Sequence, residues 1–280
     1  MSLFTRSAAA ALLPGFVFLA SCSSSGNKLA LPGKGGEPVT EAHADEARRI
    51  SADPRGFLLD VERRAAALEQ YTVQFTRTER RGLLRTLEGP ERIACWYRRS
   101  PLSIRMQWLD EEVKYGESAY SAKAAPDRIR YIPRRGLLGL PPSVSEVSLQ
   151  TPVTWGESRY PMTDFGLARM MARTRESMDT AGPDLKLEYR GLTKIPETGR
   201  DVHHFHALFP HPRFPNPYLD IYVDRETGLP AGSVVRRADE TLDAAYFYTD
   251  LRTGVSLRDE DFLIAADRAR VTALGAPPAR

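Results

Sequence analysis

The chain has 280 residues, of which 42% are hydrophobic and 27% are charged, and its formal net charge at pH 7 is +3. This composition is ordinary for a globular protein that can bury a core. The small positive charge argues against nucleic-acid binding, which needs a strongly basic surface. The two cysteines are too few for a disulfide framework.

The N-terminus has the features of a bacterial lipoprotein signal peptide. A short segment containing Arg6 precedes an apolar run from Ala8 to Ala20, which is too short to span a bilayer. The run closes with Leu19-Ala20-Ser21-Cys22, which resembles the lipobox, where the cysteine thiol carries a diacylglycerol. We expect residues 1–21 to be the signal peptide and Cys22 to be the lipid attachment site. The alternative is a plain secretory signal with an incidental cysteine.

Residues 22–52 are rich in Ser, Gly, Pro and Ala and lack periodicity, which predicts a flexible tether. At full extension this tether would place the folded domain roughly 100 Å from the membrane. Ser23, directly after the cysteine, favours transport to the outer membrane by analogy with other lipoproteins. We therefore expect a lipid-anchored protein that faces the periplasm, with residues 267–280 as a disordered tail.

The folded domain is predicted to cover residues 53–266 and to begin with a helix. Asp53-Pro54 is a helix start, and Leu58, Val61 and Ala65 then recur at helical spacing. A second helix is predicted from Thr163. Each helix has an apolar side that must pack against another element.

Between residues 71 and 132, apolar and polar residues alternate as in consecutive antiparallel strands with one apolar and one charged face. Further strands are predicted at 185–190, 202–209, 219–223, 233–237 and 244–249. Without βαβ alternation, this pattern predicts an α+β fold that is mainly antiparallel β. The sheet is expected to be strongly curved or partly closed, with about two helices on its concave side.

Several motifs resemble an uncharacterised bacterial family, the domain of unknown function numbered 1571, over about residues 55–265. They are Tyr71-Thr72-Val73-Gln74-Phe75, the run from Trp96 to Trp108, Ser158-Arg159-Tyr160-Pro161-Met162-Thr163-Asp164-Phe165-Gly166-Leu167, and the turn from Tyr222 to Pro230. Their arrangement also resembles the wider lipoprotein-carrier superfamily of LolA and LolB. The resemblance implies an unclosed half-barrel around helices, with an apolar cavity for acyl chains.

The apolar strand face is the expected wall of such a cavity, because an acyl chain needs apolar surroundings. The candidate lining residues are Tyr71, Val73, Phe75, Ile104, Met106 and Trp108. A solid core would use the same residues. The opposite face, which carries Arg105 and Arg130, is expected to be mixed in charge and solvated.

An alternative site is a histidine cluster, in which His204 and His206 would point to one side of a strand. They could bind a metal with His211 or Asp220 as a third ligand. No hydrolase or nucleotide-binding motif accompanies them. Cys95 has mainly apolar neighbours, which predicts a buried and inert thiol.

The sequence therefore favours a non-enzymatic envelope protein without a cofactor, which binds lipid or an acylated partner in an apolar cavity. The second hypothesis is an envelope interaction or sensor protein whose core is packed solid and which holds no lipid. The third is a metal-dependent hydrolase that uses His204 and His206.

Overall fold

The fold of this computed structural model is described for residues 30–32, 41–136, 140–210 and 212–275. It is built on one antiparallel sheet of eleven strands. The strands are β1 Gln70–Arg81, β2 Thr86–Arg98, β3 Ser103–Trp108, β4 Tyr115–Ser121, β5 Arg128–Pro133, β6 Ser145–Ser148, β7 Lys186–Lys194, β8 Asp201–Leu208, β9 Tyr218–Asp224, β10 Pro230–Arg236 and β11 Leu242–Thr253. These strands confirm the predicted runs.

The strand order is β6-β5-β4-β3-β2-β1-β11-β10-β9-β8-β7. Strands β1 to β6 form one meander and β7 to β11 a second. The two meanders join at the centre, where β1 pairs with both β2 and β11. The first and last strands of the order, β6 and β7, remain unpaired with each other, so the sheet is an open half-barrel, as predicted.

The helices are α1 Glu41–Ala52, α2 Pro54–Ala66, α3 Thr151–Thr154, α4 Leu167–Ala181 and α5 Ala265–Gly275. Helices α2 and α4 contact each other and cover the concave face of the sheet, as the apolar stripe of α2 predicts. On this side Phe57 of α2 stacks on Phe205 of β8, with 5.4 Å between the ring centroids. None of the described helices is both long and apolar enough to cross a membrane.

Helix α4 begins at Leu167, after a short 3-10 turn at Met162–Asp164, rather than at the predicted Thr163. The hydroxyl of Tyr71 on β1 accepts a hydrogen bond from the Leu167 backbone N–H at 3.0 Å. Gly166 precedes the helix with φ of 121°, and a Cβ there would lie 3.0 Å from the Tyr71 hydroxyl. The close approach to the sheet and the backbone angle both require glycine here.

Helix α1 lies within residues 22–52, where the composition predicts a flexible tether. Ile50 of this helix is buried in the main core, and Glu46 pairs with Arg225 at 3.2 Å. These contacts involve residues far apart in the chain, which explains why local composition did not show them. Further upstream, Leu31 packs against a second apolar cluster on the convex face, formed by residues that include Val202, Val234 and Phe247.

Helix α5 covers residues 267–275 of the segment that was expected to be a disordered tail, while residues 276–280 lie outside the described part of the chain. Its first backbone N–H, at Ala265, donates to the Glu117 carboxylate at 2.7 Å, and Asp267 pairs with Arg130 at 2.8 Å. Glu117 also pairs with Arg105, whose guanidinium lies 4.0 Å from the Trp96 ring centroid. The outer face near β3 and β4 is therefore covered, and Arg105 is buried there rather than solvated.

The start of α2 is a test of the capping prediction. Asp53 accepts a hydrogen bond from the Gly56 N–H at 2.8 Å. We expect Asp53→Ala to lower the free energy of unfolding by about 1 kcal/mol, because it leaves that N–H without its partner. Urea denaturation would measure the change. Asp45→Ala is the control, because the Asp45 side chain on α1 is exposed, and it should change stability by less than about 0.5 kcal/mol. Equal losses in both variants would contradict the capping role.

Candidate functional site: a cavity on the concave face

A cavity of about 360 Å³ lies between the concave face of the sheet, helix α4 and the loops that flank it. Its wall draws on both meanders and on the segment between β6 and α4. The apolar lining includes Phe75, Met106, Trp108, Tyr115, Ile129, Tyr131, Val147, Met162, Phe165, Met170, Phe209, Phe214, Leu219, Val235 and Tyr248. A cavity of this size and lining is typical of sites that bind small apolar ligands.

Three of the six candidate lining residues, Phe75, Met106 and Trp108, lie in the cavity wall. The other three share the concave face but belong to the packed core. Tyr71 stacks on Tyr97 with 4.7 Å between the centroids and holds the start of α4. Val73 and Ile104 are likewise buried in that core. The role of all six residues as ligand contacts stays a prediction.

A buried charged network replaces apolar residues along the second half of β1. Arg77 and Glu79 follow Phe75 at alternating positions and face the cavity. Arg77 Nε donates to Glu91 on β2 at 2.8 Å, and Trp108 Nε1 donates to the same carboxylate oxygen at 3.1 Å. The other oxygen of Glu91 binds Arg81. One end of the apolar cavity therefore carries charge.

Charge balance sets the ionisation of this network. Burial raises the pKa of Glu91, but Arg77 and Arg81 lower it more, and the result is a pKa of about 2. Burial lowers the pKa of Arg77, but Glu91 and Glu79 raise it above its ordinary value. Both groups are therefore charged at neutral pH.

The β1–β2 hairpin is held beside a loop that lines the cavity. The Gly82 N–H donates to the Gly156 carbonyl at 3.0 Å, which holds the hairpin against the loop after α3. Trp155 in that loop lines the cavity and is 60% exposed. Leu83 and Leu84 at the hairpin tip are 99% and 84% exposed. Large apolar side chains are therefore exposed both in the cavity wall and at the hairpin tip.

The histidine cluster lies on the opposite, convex face. His204 Nε2 and His206 Nδ1 are each 2.9 Å from the same oxygen of Asp220, and Arg236 binds its other oxygen. Burial raises the pKa of Asp220, but these three partners lower it well below its usual range. His203 points the other way and is 2.9 Å from the Tyr189 hydroxyl.

This arrangement is a buried ion cluster, because Asp220 is occupied by three side chains. Within the described part of the chain, no three His, Cys, Asp or Glu residues are grouped to hold a metal. His211, the other suggested ligand, and Cys22 lie outside the described residues. Cys95 is buried as predicted, and burial raises the pKa of its thiol.

Sequence reasoning missed the polar part of the wall. The signal was present in β1, where the positions that continue the apolar face from Phe75 are Arg77 and Glu79. A charge on the inward positions of a strand indicates a buried partner or a site. The partners Glu91 and Tyr246 lie on neighbouring strands, and the sequence alone did not predict those pairings.

The comparisons with known proteins identify the family of this chain. A family of proteins of unknown function matches residues 68–270. The chain belongs to that family, DUF1571. This confirms the resemblance seen in the motifs. No curated protein matches the sequence.

Solved structures with a similar fold are distant from this DUF1571 protein. Pseudomonas aeruginosa MucB in its complex with MucA is 15% identical, with 76% of this chain and 61% of that chain covered and a TM-score of 0.44. The Mycobacterium tuberculosis lipoprotein LppX is 12% identical, with 74% and 100% covered and a TM-score of 0.42. A LolA superfamily protein from Nitrosomonas europaea is 9% identical, with 76% and 98% covered and a TM-score of 0.34. This chain spans less than two thirds of the MucB chains.

The charged network gives a pH-dependent prediction. The pKa of Glu91 is about 2 in the folded protein, against about 4.3 in an unfolded chain. The ionised carboxylate therefore contributes its full stabilisation of the fold above pH 4.3, and this stabilisation is lost as the pH falls towards 2. We expect Glu91→Gln to lower the free energy of unfolding at pH 7 by roughly 3 kcal/mol. The difference from wild type should shrink between pH 4 and pH 2.

Urea denaturation at a series of pH values would measure both effects. Glu112→Gln is the control, because Glu112 is an exposed acid on the loop between β3 and β4. It should follow the wild-type curve at every pH. A constant difference between wild type and Glu91→Gln down to pH 2 would contradict the assigned ionisation.

Proposed function

We propose that this DUF1571 protein is a lipid-anchored envelope protein on the periplasmic side, and that it binds lipid or an acylated partner in its concave cavity without catalysis. The observation that carries the proposal is the cavity itself, which is bounded by aromatic, methionine and aliphatic side chains from both meanders. Each CH₂ group of an acyl chain buried there would contribute about 0.8 kcal/mol. An acyl chain is therefore the ligand that this wall favours.

The exposed apolar side chains near the cavity support the same proposal. Trp155 lines the cavity and is also exposed, and the hairpin tip beside it presents Leu83 and Leu84 to the outside. An acyl chain that leaves a membrane or a partner would meet exposed apolar side chains at the hairpin tip and at Trp155 in the cavity wall. Contacts with these side chains would lower the cost of exposing the chain to water.

The proposed anchor at Cys22 would hold the domain close to the membrane. Leu31 packs against the convex apolar cluster, so only the residues between Cys22 and Leu31 would connect the lipid to the folded domain. Fully extended, they span roughly 30 Å, against roughly 100 Å for a tether that runs to residue 52.

Lipid analysis of the purified protein tests the proposed ligand. The chain from Ser23 onward would be exported behind a cleavable signal peptide, purified without detergent, and examined by native mass spectrometry and organic extraction. We expect phospholipid or another acylated molecule at near-stoichiometric levels. A protein without lipid would contradict the proposal and favour an envelope interaction protein.

Two substitutions on β6 provide a matched pair for this experiment. Val147 lines the cavity, whereas the next residue, Ser148, is exposed on the same strand. Val147→Trp should fill part of the cavity and reduce the recovered lipid several-fold, because neighbouring strand positions face opposite sides. Ser148→Trp should leave the amount unchanged. Equal lipid content in both variants would place the lipid elsewhere.

Metabolic labelling tests the proposed anchor. Cells that produce the full chain should incorporate labelled palmitate into the wild-type protein but not into Cys22→Ser, because the acyl chains attach through the Cys22 residue. Immunoprecipitation followed by autoradiography would measure the label. Cys95→Ser is the control and should be labelled like wild type, since Cys95 is buried. Unlabelled wild-type protein would contradict anchoring at Cys22.

A further inference from the structure

Glu79 is a buried acid in the cavity wall with only one of its oxygens hydrogen-bonded. The residue is 3% exposed and lines the cavity from β1. Its Oε1 accepts a hydrogen bond from the Tyr246 hydroxyl at 2.6 Å. Its Oε2 has no hydrogen-bond partner among the described residues. Buried carboxylate oxygens normally have such partners, because leaving them unpaired opposes folding.

The neighbouring donors of Glu79 are already engaged. Arg77 is the nearest cation, but its Nη1 lies 3.8 Å from Glu79 Oε2, which is beyond hydrogen-bond distance. Arg77 is held instead by Glu91, through Nε at 2.8 Å. Tyr246 has one hydroxyl proton, and Oε1 of Glu79 receives it. Because Oε2 has almost no accessible surface, a further donor would have to enter from the cavity and shift the side chains that cover this oxygen.

The charges around the cavity disfavour an anionic head group at this position. Arg77 and Arg81 are balanced by Glu79 and Glu91 within the same network. At the other side of the polar end, Arg159 binds Asp243. An ionised carboxylate that reached Glu79 would have no proton to donate, and it would be repelled by a like charge.

We propose that Glu79 is the polar subsite of the cavity and selects an acyl ligand whose head group donates an N–H or O–H hydrogen bond to Oε2. The ligand class is an amine-bearing or hydroxyl-bearing lipid rather than a fatty acid. This inference rests on the proposed lipid-binding function and adds the chemistry of the head group. Glu79 contributes specificity, while the apolar wall binds the chain.

Three probes with the same chain length test the subsite. Dodecylamine, dodecanol and dodecanoate would be titrated into the delipidated chain from Ser23 onward at pH 7, below their critical micelle concentrations, with native mass spectrometry and calorimetry as readouts. We expect dodecylammonium to bind about 10- to 100-fold more tightly than dodecanoate, since a charge-assisted hydrogen bond contributes about 1.5–3 kcal/mol. Dodecanol should lie between them.

The relative affinities of dodecylammonium and dodecanol distinguish two possible sources of the ligand. A large preference for dodecylammonium over dodecanol indicates an amine head group, such as that of an ethanolamine phospholipid. Similar affinities for both probes indicate a hydroxyl-bearing acylglycerol. Either order supports the subsite, provided that both bind more tightly than dodecanoate.

Glu79→Gln tests the residue itself, because glutamine keeps an acceptor for Tyr246 and presents an amide donor instead of a carboxylate oxygen. The preference for dodecylammonium over dodecanoate should fall at least about tenfold. Glu88→Gln is the matched control. Glu88 pairs with Glu79 in the β1–β2 register, but its side chain is 49% exposed and lies outside the cavity lining. It should keep the wild-type ranking.

The failures of the two proposals are distinguishable. If all three probes bind wild type with equal affinity, or if Glu79→Gln keeps the wild-type ranking, the subsite is wrong while lipid binding stands. If none of the probes binds and no lipid is recovered from the exported protein, the proposed lipid-binding function fails together with the subsite. The wild-type ranking remains a test even if Glu79→Gln does not fold.

Discussion

The fold depends on the central position of β1, which pairs with β2 on one side and with β11 on the other. This pairing joins the two meanders into one curved sheet. The curvature makes the concave face too large for one helix to cover, and α2 and α4 together fill only part of it. Tyr71 at the start of β1 holds the start of α4 through its hydroxyl. The cavity lies where β1 continues beyond that contact.

Buried charge explains why this part of the concave face is not packed solid. Arg77 and Glu91 are joined across β1 and β2 by a hydrogen bond, Trp108 donates a second one to Glu91, and Tyr246 donates one to Glu79. An apolar helix packed directly on them would remove the remaining access to water and leave polar atoms unpaired, which is unfavourable. The network therefore restricts the apolar core to the first half of β1. The second half is left to form the wall of a site.

Local patterns were enough to predict the strands, the start of α2 and the open antiparallel sheet, because alternation and capping depend on neighbouring residues. They were not enough for α1 and α5, whose positions depend on distant partners such as Arg225 for Glu46 and Arg130 for Asp267. The division of the concave face into core and cavity was also beyond local patterns. Alternation places Ile104 and Met106 on the same face, but elements distant in the sequence decide that Ile104 is buried in the core and Met106 lines the cavity.

The convex face has a structural role that complements the cavity. Asp220 ties β8 to β10 through His204, His206 and Arg236, and Glu117 ties α5 and Arg105 to β4. Buried ion clusters of this kind fix register and orientation, since a slipped strand would leave their charges unpaired. The sheet side of the cavity wall is therefore backed by ion clusters that fix the register of its strands, whereas the loops beside α4, including Trp155, complete the wall on the other side. The strands and these loops together set the shape of the space that a ligand would occupy.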